Sequence, residues 1–346
     1  MQPSRKKSRI TSLDIAHRAG VSQATVSRVL RGSPLVNAET RRRVEEAVRE
    51  LNYKVDRHAS SLRTQRAGTL ALLLFEEPGP EDAQINPFFL SMLGSITREC
   101  ARQGHDLLVS FQQLSDDWHA DYEDSMKADG LILLGYGDDV LYQEKLERLH
   151  AQGTHFVRWG PVRPGQIGIS IGCDNHLGGQ FAGRHLLELG RKRIAFLGDA
   201  SSHYPEFLAR FSGCELALQE RGLSLDRALQ VDASSSEEDG YRAATELLSR
   251  GADFDAVFAG SDLIAIGAMA ALRDSGKHVP QDIAVVGFDG MPQARYSTPP
   301  LSTVVQDTQL AGRLLVDSLL KLVREQPVDS IMIPPQLAVR ASSASG

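Results

Sequence analysis

Apolar residues recur at helical spacing near the start of the chain and predict three short helices. The first begins after Thr11, whose hydroxyl suits an N-cap, and ends at Gly20, because glycine adopts a left-handed backbone at low cost. The second begins at Ser22, and the third runs from Asn37 to about Asn52. The apolar positions expected to form their shared core are Leu13, Ile15, Ala16, Ala19, Val26, Val29, Leu30, Val44, Ala47, Val48 and Leu51. The pattern predicts a helix-turn-helix module.

From Thr69 onward, buried-strand patterns alternate with amphipathic helical stretches, which is typical of βαβ units and parallel sheets. The predicted strands lie near 69–75, 106–111, 130–134 and 154–159, and then near 167–172, 193–198, 228–231, 255–259 and 283–287. Two series of strands predict two lobes, each a doubly wound parallel sheet. Small ligands bind outside the carboxyl ends of such strands, so the cleft between the lobes is the expected pocket.

The second predicted helix turns polar side chains away from its core. Gln23, Ala24, Ser27 and Arg28 lie on that outer face. In a DNA major groove, glutamine pairs with adenine, arginine pairs with guanine, and an alanine methyl contacts a thymine methyl. A solvated helix face would show the same composition, and the residues alone leave both interpretations open.

Charge divides the chain in two, although the 346 residues carry a formal net charge of only −6. Residues 1–66 hold 15 Lys and Arg against 6 Asp and Glu, a net charge of +9, and the remainder carries −15. A basic segment on an acidic body is typical of an arm that meets a polyanion. A basic flexible tail would give the same count.

Several function classes find no support in the sequence. It contains no P-loop motif, no H-E-x-x-H and no complete G-x-G-x-x-G, and Ser261 lacks the second glycine of a nucleophile elbow. We therefore expect neither an enzyme nor a metal or other cofactor. The apolar runs are too short to span a bilayer, and the basic start resembles no signal peptide, so we expect a cytoplasmic protein. Cys100, Cys173 and Cys214 show no paired spacing and are expected to pack in the core.

A set of ordered motifs resembles the LacI/GalR family of bacterial transcriptional regulators. They are Leu13-Asp14-Ile15-Ala16-His17-Arg18-Ala19-Gly20-Val21-Ser22-Gln23-Ala24-Thr25-Val26-Ser27-Arg28-Val29-Leu30, Leu51-Asn52-Tyr53, Ala59-Ser60-Ser61-Leu62, Gly260-Ser261-Asp262, Val279-Pro280-Gln281-Asp282-Ile283, Gly287-Phe288-Asp289 and Pro300-Leu301-Ser302-Thr303-Val304. The resemblance extends along nearly the whole chain. It implies a helix-turn-helix domain, a hinge helix and a two-lobed domain like that of periplasmic binding proteins.

By this resemblance, the DNA-binding residues divide into two groups. Gln23, Ala24 and Arg28 would contact operator bases, whereas the hydroxyls of Ser22, Thr25 and Ser27 would meet phosphates. Residues 56–64 match the family's hinge helix, from which Leu62 would wedge into the minor groove and kink the DNA. Taken alone, Leu62 is equally explained as a linker residue that packs on the body.

The effector site is predicted from strand ends and from the same resemblance. Arg210, in Arg-x-x-Gly213, is similar to the family's effector-binding arginine, and Asp289 follows a strand whose carboxyl end faces the cleft. A salt bridge between the two would place them at the same site. The other predicted effector contacts are Asn86, Phe88, Arg158, Trp159, Ser261 and Asp262, with His203 and Tyr204 at the rim. Trp159 could stack on a sugar or belong to the core.

The predicted domains are a DNA-binding domain at 1–55, a hinge at 56–66 and an effector-binding and dimerisation domain at 67–346. In the last, we assign 67–162 and 302–328 to one lobe and 163–301 and 329–346 to the other. The expected protein is a cytoplasmic, nucleoid-associated homodimer that represses carbohydrate-utilisation genes. Its partners would be a palindromic operator in double-stranded DNA and a sugar or sugar phosphate. A purine corepressor is the alternative ligand, and a transport-type sugar-binding protein is the alternative class.

Overall fold

The computed structural model describes residues 10–30, 32–53, 66–75, 85–112, 115–135 and 138–344. Its chain divides into two compact units, Met1–Ala67 and Gly68–Gly346. The helices are α1 Ser12–Ala19, α2 Gln23–Leu30, α3 Ala38–Glu50, α4 Pro87–Arg102, α5 Asp139–Ala151, α6 Asn175–Glu188, α7 Pro205–Gln219, α8 Glu237–Ser249, α9 Asp262–Asp274 and α10 Thr308–Val323. The strands are β1 Thr69–Leu74, β2 Asp106–Phe111, β3 Leu131–Leu134, β4 Phe156–Trp159, β5 Ile169–Cys173, β6 Ile194–Leu197, β7 Gln230–Val231, β8 Ala256–Ala259, β9 Ala284–Asp289, β10 Ser302–Val305, β11 Ile331–Ile333 and β12 Gln336–Ala338.

The first unit contains the three predicted helices. Thr11 caps α1 in a reciprocal capping box with Asp14, and Gly20 ends the helix with a left-handed φ of 65°. The buried core consists of Ile15, Ala16, Ala19, Val26, Val29, Val44 and Ala47. Leu13 is 64% exposed and Leu30 is 36% exposed, so placing these two side chains in the core was wrong. Each lies at the margin of its helix's apolar stripe, where the three-helix packing ends.

The second unit contains two six-stranded sheets, with strand orders β11-β5-β4-β3-β1-β2 and β12-β10-β9-β8-β6-β7. We call the first sheet with its helices lobe 1 and the second sheet with its helices lobe 2. All the neighbouring strands are parallel except β10 and β12. The residues of β3, β6, β8 and β9 are buried throughout, because helices cover both faces of a doubly wound sheet. The predicted fold class is confirmed.

The chain passes between the lobes at places other than those predicted. The strand β5 belongs to lobe 1, where it pairs with β4 and β11. The strand β10 belongs to lobe 2, where it pairs with β9. The predicted limits at 162, 302 and 329 were therefore wrong, because they placed β5 and β11 in lobe 2 and β10 in lobe 1. The physical reason is that β4 and β5 pair in parallel across the loop 160–168, without the crossover helix that usually joins such neighbours.

The three cysteines are free and buried, as predicted. Burial raises the pKa of each thiol to about 12, so they act as small apolar side chains. Within the described residues, every helix is too short or too polar to cross a lipid bilayer.

Candidate functional site

The outer face of α2 is polar and open. Val26 and Val29 are buried, whereas Gln23, Ala24 and Arg28 are exposed. The Ser22 hydroxyl accepts a hydrogen bond from the Thr25 amide at 3.2 Å, and the two hydroxyls lie 2.9 Å apart. Ser22 therefore caps the helix, a structural role that leaves its predicted phosphate contact untested.

Gln23 has a contact that the sequence did not indicate. Its side-chain amide donates to the Ser12 hydroxyl at 2.8 Å and so joins the starts of α1 and α2. A base contact by Gln23 would compete with this bond or use the free amide oxygen. Leu62 and the rest of the predicted hinge helix lie outside the described residues.

The strongest candidate site in lobe 2 is built on Arg210 and Asp289. Arg210 is 5% exposed, and its Nε donates to Asn175 Oδ1 at 2.8 Å while its Nη1 donates to the carbonyl of Gly260. The same Nη1 lies 3.7 Å from Asp289 Oδ1. The guanidinium also stacks on the Phe288 ring, 3.8 Å from its centroid. The arginine is therefore held in one orientation by neighbours on several sides.

Asp289 is placed by the end of its strand. It is the last residue of β9 and has a φ of 120°, which is unusual for a residue with a side chain. Gln306 donates to Asp289 Oδ1 at 2.8 Å. Burial raises the pKa of the Asp289 carboxyl to about 6, although Arg210 and Gln306 both favour the ionised form. Burial likewise lowers the pKa of Arg210, against the charge of Asp289. Desolvation thus outweighs pairing at both members of the pair.

Ser261 and Asp262, at the start of α9, bind the segments that surround the Arg210–Asp289 site. Asp262 is fully buried and accepts from Thr303 Oγ1 at 2.5 Å and from the Met291 amide at 2.7 Å. Ser261 caps α9, and its hydroxyl accepts from Ser235 at 2.9 Å. Burial and the nearby Asp289 charge raise the pKa of Asp262. These bonds to protein groups fix the loop that follows Asp289, and the predicted direct contact of Asp262 with an effector stays a prediction.

Arg158 lies near the carboxyl end of β4 in lobe 1 and is buried, as Arg210 is in lobe 2. It is 1% exposed, donates to Ser170 Oγ at 2.9 Å and lies 3.4 Å from Asp139 Oδ1. The second Asp139 oxygen lies 3.3 Å from Arg163. Burial lowers the pKa of Arg158, with Asp139 opposing the shift. The predicted effector contact at Arg158 would require this cluster to open.

Phe88 and Trp159 belong to the main hydrophobic core of the two lobes. They are 5% and 7% exposed, and their ring centroids lie 6.0 Å apart. Of the two roles that the sequence left open for Trp159, this packing favours the core. Phe88 packs in the same core, and its predicted contact with an effector stays a prediction.

Side chains from the two lobes meet at the cleft. Asn86 caps α4 through its contact with the Phe88 amide, and its Nδ2 donates to Ser235 Oγ across the cleft at 3.2 Å. His203 Nδ1 lies 2.5 Å from Asp138 Oδ2, and the His203 carbonyl accepts from the Asp139 amide at 2.8 Å. His203, predicted at the rim, therefore lies in a contact between the lobes. Tyr204 stands beside it, with its ring 6.5 Å from that of Phe207.

Sequence reasoning missed three residues around Arg210 and Asp289, namely Asn175, Glu206 and Gln306, and it also missed Asp139 beside Arg158 in lobe 1. Asn175 lies two residues after the end of β5, so the strand-end argument that found Asp289 would also have found it. Glu206 lies one helical turn before Arg210, on the same face of α7. Across the ranges that the structure describes, no cluster of three His, Cys, Asp or Glu side chains has metal-site geometry.

A three-helix module followed by a two-lobed binding domain defines a class of ligand-responsive DNA-binding regulators. The chain matches the models for "Bacterial regulatory proteins, lacI family" at residues 11–56 and "Periplasmic binding protein-like domain" at residues 184–343. It is 34% identical over 337 residues to the HTH-type transcriptional regulator CelR of Thermobifida fusca, covering 95% of this chain and 96% of the relative.

Two solved structures extend the comparison. A CelR–cellobiose complex matches with a TM-score of 0.71 and 30% identity. The match covers 97% of this chain and 100% of the CelR chain. The lac repressor dimer bound to operator and the anti-inducer ONPF has a TM-score of 0.82 and 26% identity, with the same coverage of 97% and 100%. The chain belongs to the lacI family of bacterial regulatory proteins and is a transcriptional regulator. The resemblance in the sequence is confirmed.

Proposed function

We propose that this regulator binds a palindromic operator as a homodimer and that a sugar held between its lobes controls its affinity for the operator. The observation that carries the effector part is the buried Arg210–Asp289 pair at the carboxyl edge of the lobe 2 sheet. A guanidinium supplies donors to hydroxyl oxygens, and a carboxylate accepts from hydroxyl groups. The cellobiose in the CelR complex supports a sugar in this family.

The DNA side rests on the open face of α2. Gln23, Ala24 and Arg28 would contact base edges in the major groove, while Ser22, Thr25 and Ser27 would position the helix on phosphates. In a homodimer, two such helices meet the two halves of a palindrome. The operator-bound lac repressor dimer supports this assembly, and we assign the minor-groove wedge to Leu62.

The contacts between the lobes suggest how the two sites communicate. The bonds Asp138–His203 and Asn86–Ser235 hold the lobes together in this arrangement. An effector that binds one arrangement of the lobes more tightly shifts the population, and by linkage it changes the operator affinity. An inducer favours the arrangement that releases DNA, and a corepressor favours the one that binds it. We assign no catalytic step, and this function places the protein in the cytoplasm, on the nucleoid.

The direct test is fluorescence anisotropy with DNA from around the protein's own coding region, at fixed salt, with monosaccharides, disaccharides and purines added in turn. We expect tight, sequence-specific binding that one sugar releases. Binding that requires a purine would establish the corepressor alternative. Sugar binding without any specific DNA binding would overturn the proposal in favour of a transport-type protein.

A pair of variants separates the two sites. Arg210→Lys keeps the charge but loses the planar fork of donors, so it should bind operator normally and respond weakly to the sugar. Arg184→Lys is the matched control, because Arg184 forms an exposed pair with Glu220 on the outside of lobe 2. An undiminished sugar response in Arg210→Lys would remove Arg210 from the effector site.

A further inference from the structure

One carboxyl oxygen at the candidate effector site has no hydrogen-bond partner among the described residues. Glu206 is the second residue of α7, after Pro205, and remains partly exposed as a whole. Its Oε1 is nevertheless buried and makes no hydrogen bond. Within the described ranges it is the only buried side-chain oxygen or nitrogen in this state. Buried polar atoms are nearly always paired, so an unpaired one in a binding cleft requires an explanation.

The neighbours of Glu206 belong to the effector site. Arg210 lies four residues later, on the same face of the helix, and its charge favours the ionised form of Glu206. Burial outweighs this charge and the bond from the backbone amide of Glu206, and raises the pKa of Glu206 to about 7. Phe207 stacks on the Arg210 guanidinium, 5.2 Å from its ring centroid. Glu206 therefore stands beside the cation that the proposed effector would contact.

The charges around the cleft disfavour an anion there. Arg210 already faces Asp289, and the charge of Glu206 also acts on this guanidinium, so a second carboxyl group lies in its neighbourhood. In lobe 1, Arg158 and Arg163 both lie within 3.4 Å of an Asp139 oxygen. A phosphate placed beside Glu206 would meet an unpaired acid, whereas a hydroxyl group would supply the missing donor.

We propose that Glu206 selects the effector: its free oxygen accepts a hydrogen bond from a hydroxyl group of an uncharged sugar, and the site rejects the phosphate ester of the same sugar. This inference rests on the proposed function and narrows its ligand class, since the sequence predicted a sugar or a sugar phosphate without choosing between them. Glu206 and Asp289 are two acceptors whose charges both act on one donor, Arg210. That arrangement matches a polyol with several free hydroxyl groups.

The test compares each sugar with its own phosphate ester on the full-length protein by isothermal titration calorimetry. Glucose with glucose 6-phosphate and ribose with ribose 5-phosphate are suitable pairs, with cellobiose as a neutral disaccharide. We expect the best neutral sugar to bind at least about 10-fold more tightly than any phosphate ester, as expected when a charged group would be buried beside an unpaired acid. A phosphate ester that binds as tightly as its parent sugar would overturn the proposal without any variant.

Two variants locate the selection. Glu206→Gln should lower the affinity for the neutral sugar about 10-fold, because a neutral acceptor replaces a carboxylate. It should also reduce the difference in affinity between the neutral sugar and its phosphate ester. Glu215→Gln is the matched control on the same helix. At about 100° per residue, nine positions place Glu215 on the opposite face, so both affinities should stay unchanged.

The outcomes separate this inference from the proposed function. If neutral sugars bind and Glu206→Gln changes neither affinity, Glu206 has no selective role and the proposed function stands. If operator binding is intact and no sugar or phosphate ester binds at all, the sugar-effector part of the proposed function falls and this inference falls with it.

Discussion

Arg210 and Asp289 face each other at 3.7 Å, too far for a direct hydrogen bond, while each is fixed by another neighbour. Asn175 accepts from Arg210, and Gln306 donates to Asp289. The two charges are therefore positioned independently, and the guanidinium Nη2 has no hydrogen-bond partner among the described residues. Such a pair retains donors and acceptors for a ligand, because no direct hydrogen bond between the two charges has to be broken first.

Asp289→Asn should weaken effector binding by about 10- to 100-fold, because a neutral amide replaces the carboxylate acceptor opposite Arg210. Asparagine tolerates the positive φ of this position better than alanine does. Calorimetry with the identified sugar measures the change. Asp274→Asn, on the exposed end of α9, is the control and should bind normally. Wild-type affinity in Asp289→Asn would show that the carboxylate does not contact the effector.

Gly213→Ala should destabilise lobe 2 by about 1–3 kcal/mol, as expected for overpacking against a rigid backbone. A Cβ at Gly213 would lie 1.9 Å from the His176 carbonyl oxygen on α6. The close approach of α6 and α7 is also what brings Asn175 within 2.8 Å of Arg210. The midpoint of urea unfolding and the effector affinity should therefore fall together. Ser212→Ala, one residue earlier, is the control, and a change no larger than its own would contradict the packing argument.

Glu206→Gln should be more stable than the wild type at pH 8 but not at pH 5. The pKa of Glu206 is raised from 4.5 to about 7, so between these values the unfolded chain loses a proton that the folded chain retains. Unfolding thus becomes progressively more favourable as the pH rises. The loss in the free energy of unfolding caused by Glu206 reaches its full value above about pH 7. The difference at pH 8 should be about 1–3 kcal/mol, given about 1.36 kcal/mol per pKa unit and the partial exposure of the residue. Urea titrations at both pH values measure it, and parallel profiles would rule out the shift.

Local patterns predicted the elements of this fold well, because each was encoded by neighbouring residues. Thr11, Gly20 and Asn37 mark helix ends through bonds made within one turn, and the structure has caps at all three. The assignment of strands to lobes, in contrast, was not encoded by neighbouring residues. Whether β5 pairs with β4 depends on contacts across the sheet, and no residue of the loop 160–168 specifies them.

In the candidate site, too, the sequence predicted what local motifs encode and missed what depends on contacts between distant segments. Asp289 follows from its strand end, and Arg210 came from the family motif that includes Gly213. Asp262 is enclosed by the Thr303 side chain on β10 and the Met291 amide in the loop after β9, which are distant in sequence, and the unpaired oxygen of Glu206 is equally a property of the folded chain. Charge count and periodicity carry no information about such enclosure.

Arg28→Ala should reduce discrimination between operator sequences while leaving the three-helix module folded. The side chain is exposed on α2 and makes no contribution to the buried core. A bidentate contact to guanine is worth about 1–3 kcal/mol of discrimination, so affinity for the cognate operator should fall about 5- to 150-fold and affinity for mismatched DNA much less. The dependence of affinity on salt should change by less than it would after loss of a phosphate contact.

Anisotropy titrations on cognate and single-mismatch operators at several salt concentrations measure both the discrimination and the salt dependence. Arg42→Ala, on the exposed face of α3 beside Glu46, is the control. Equal loss on every DNA sequence after Arg28→Ala would assign Arg28 to the phosphate backbone instead of the bases.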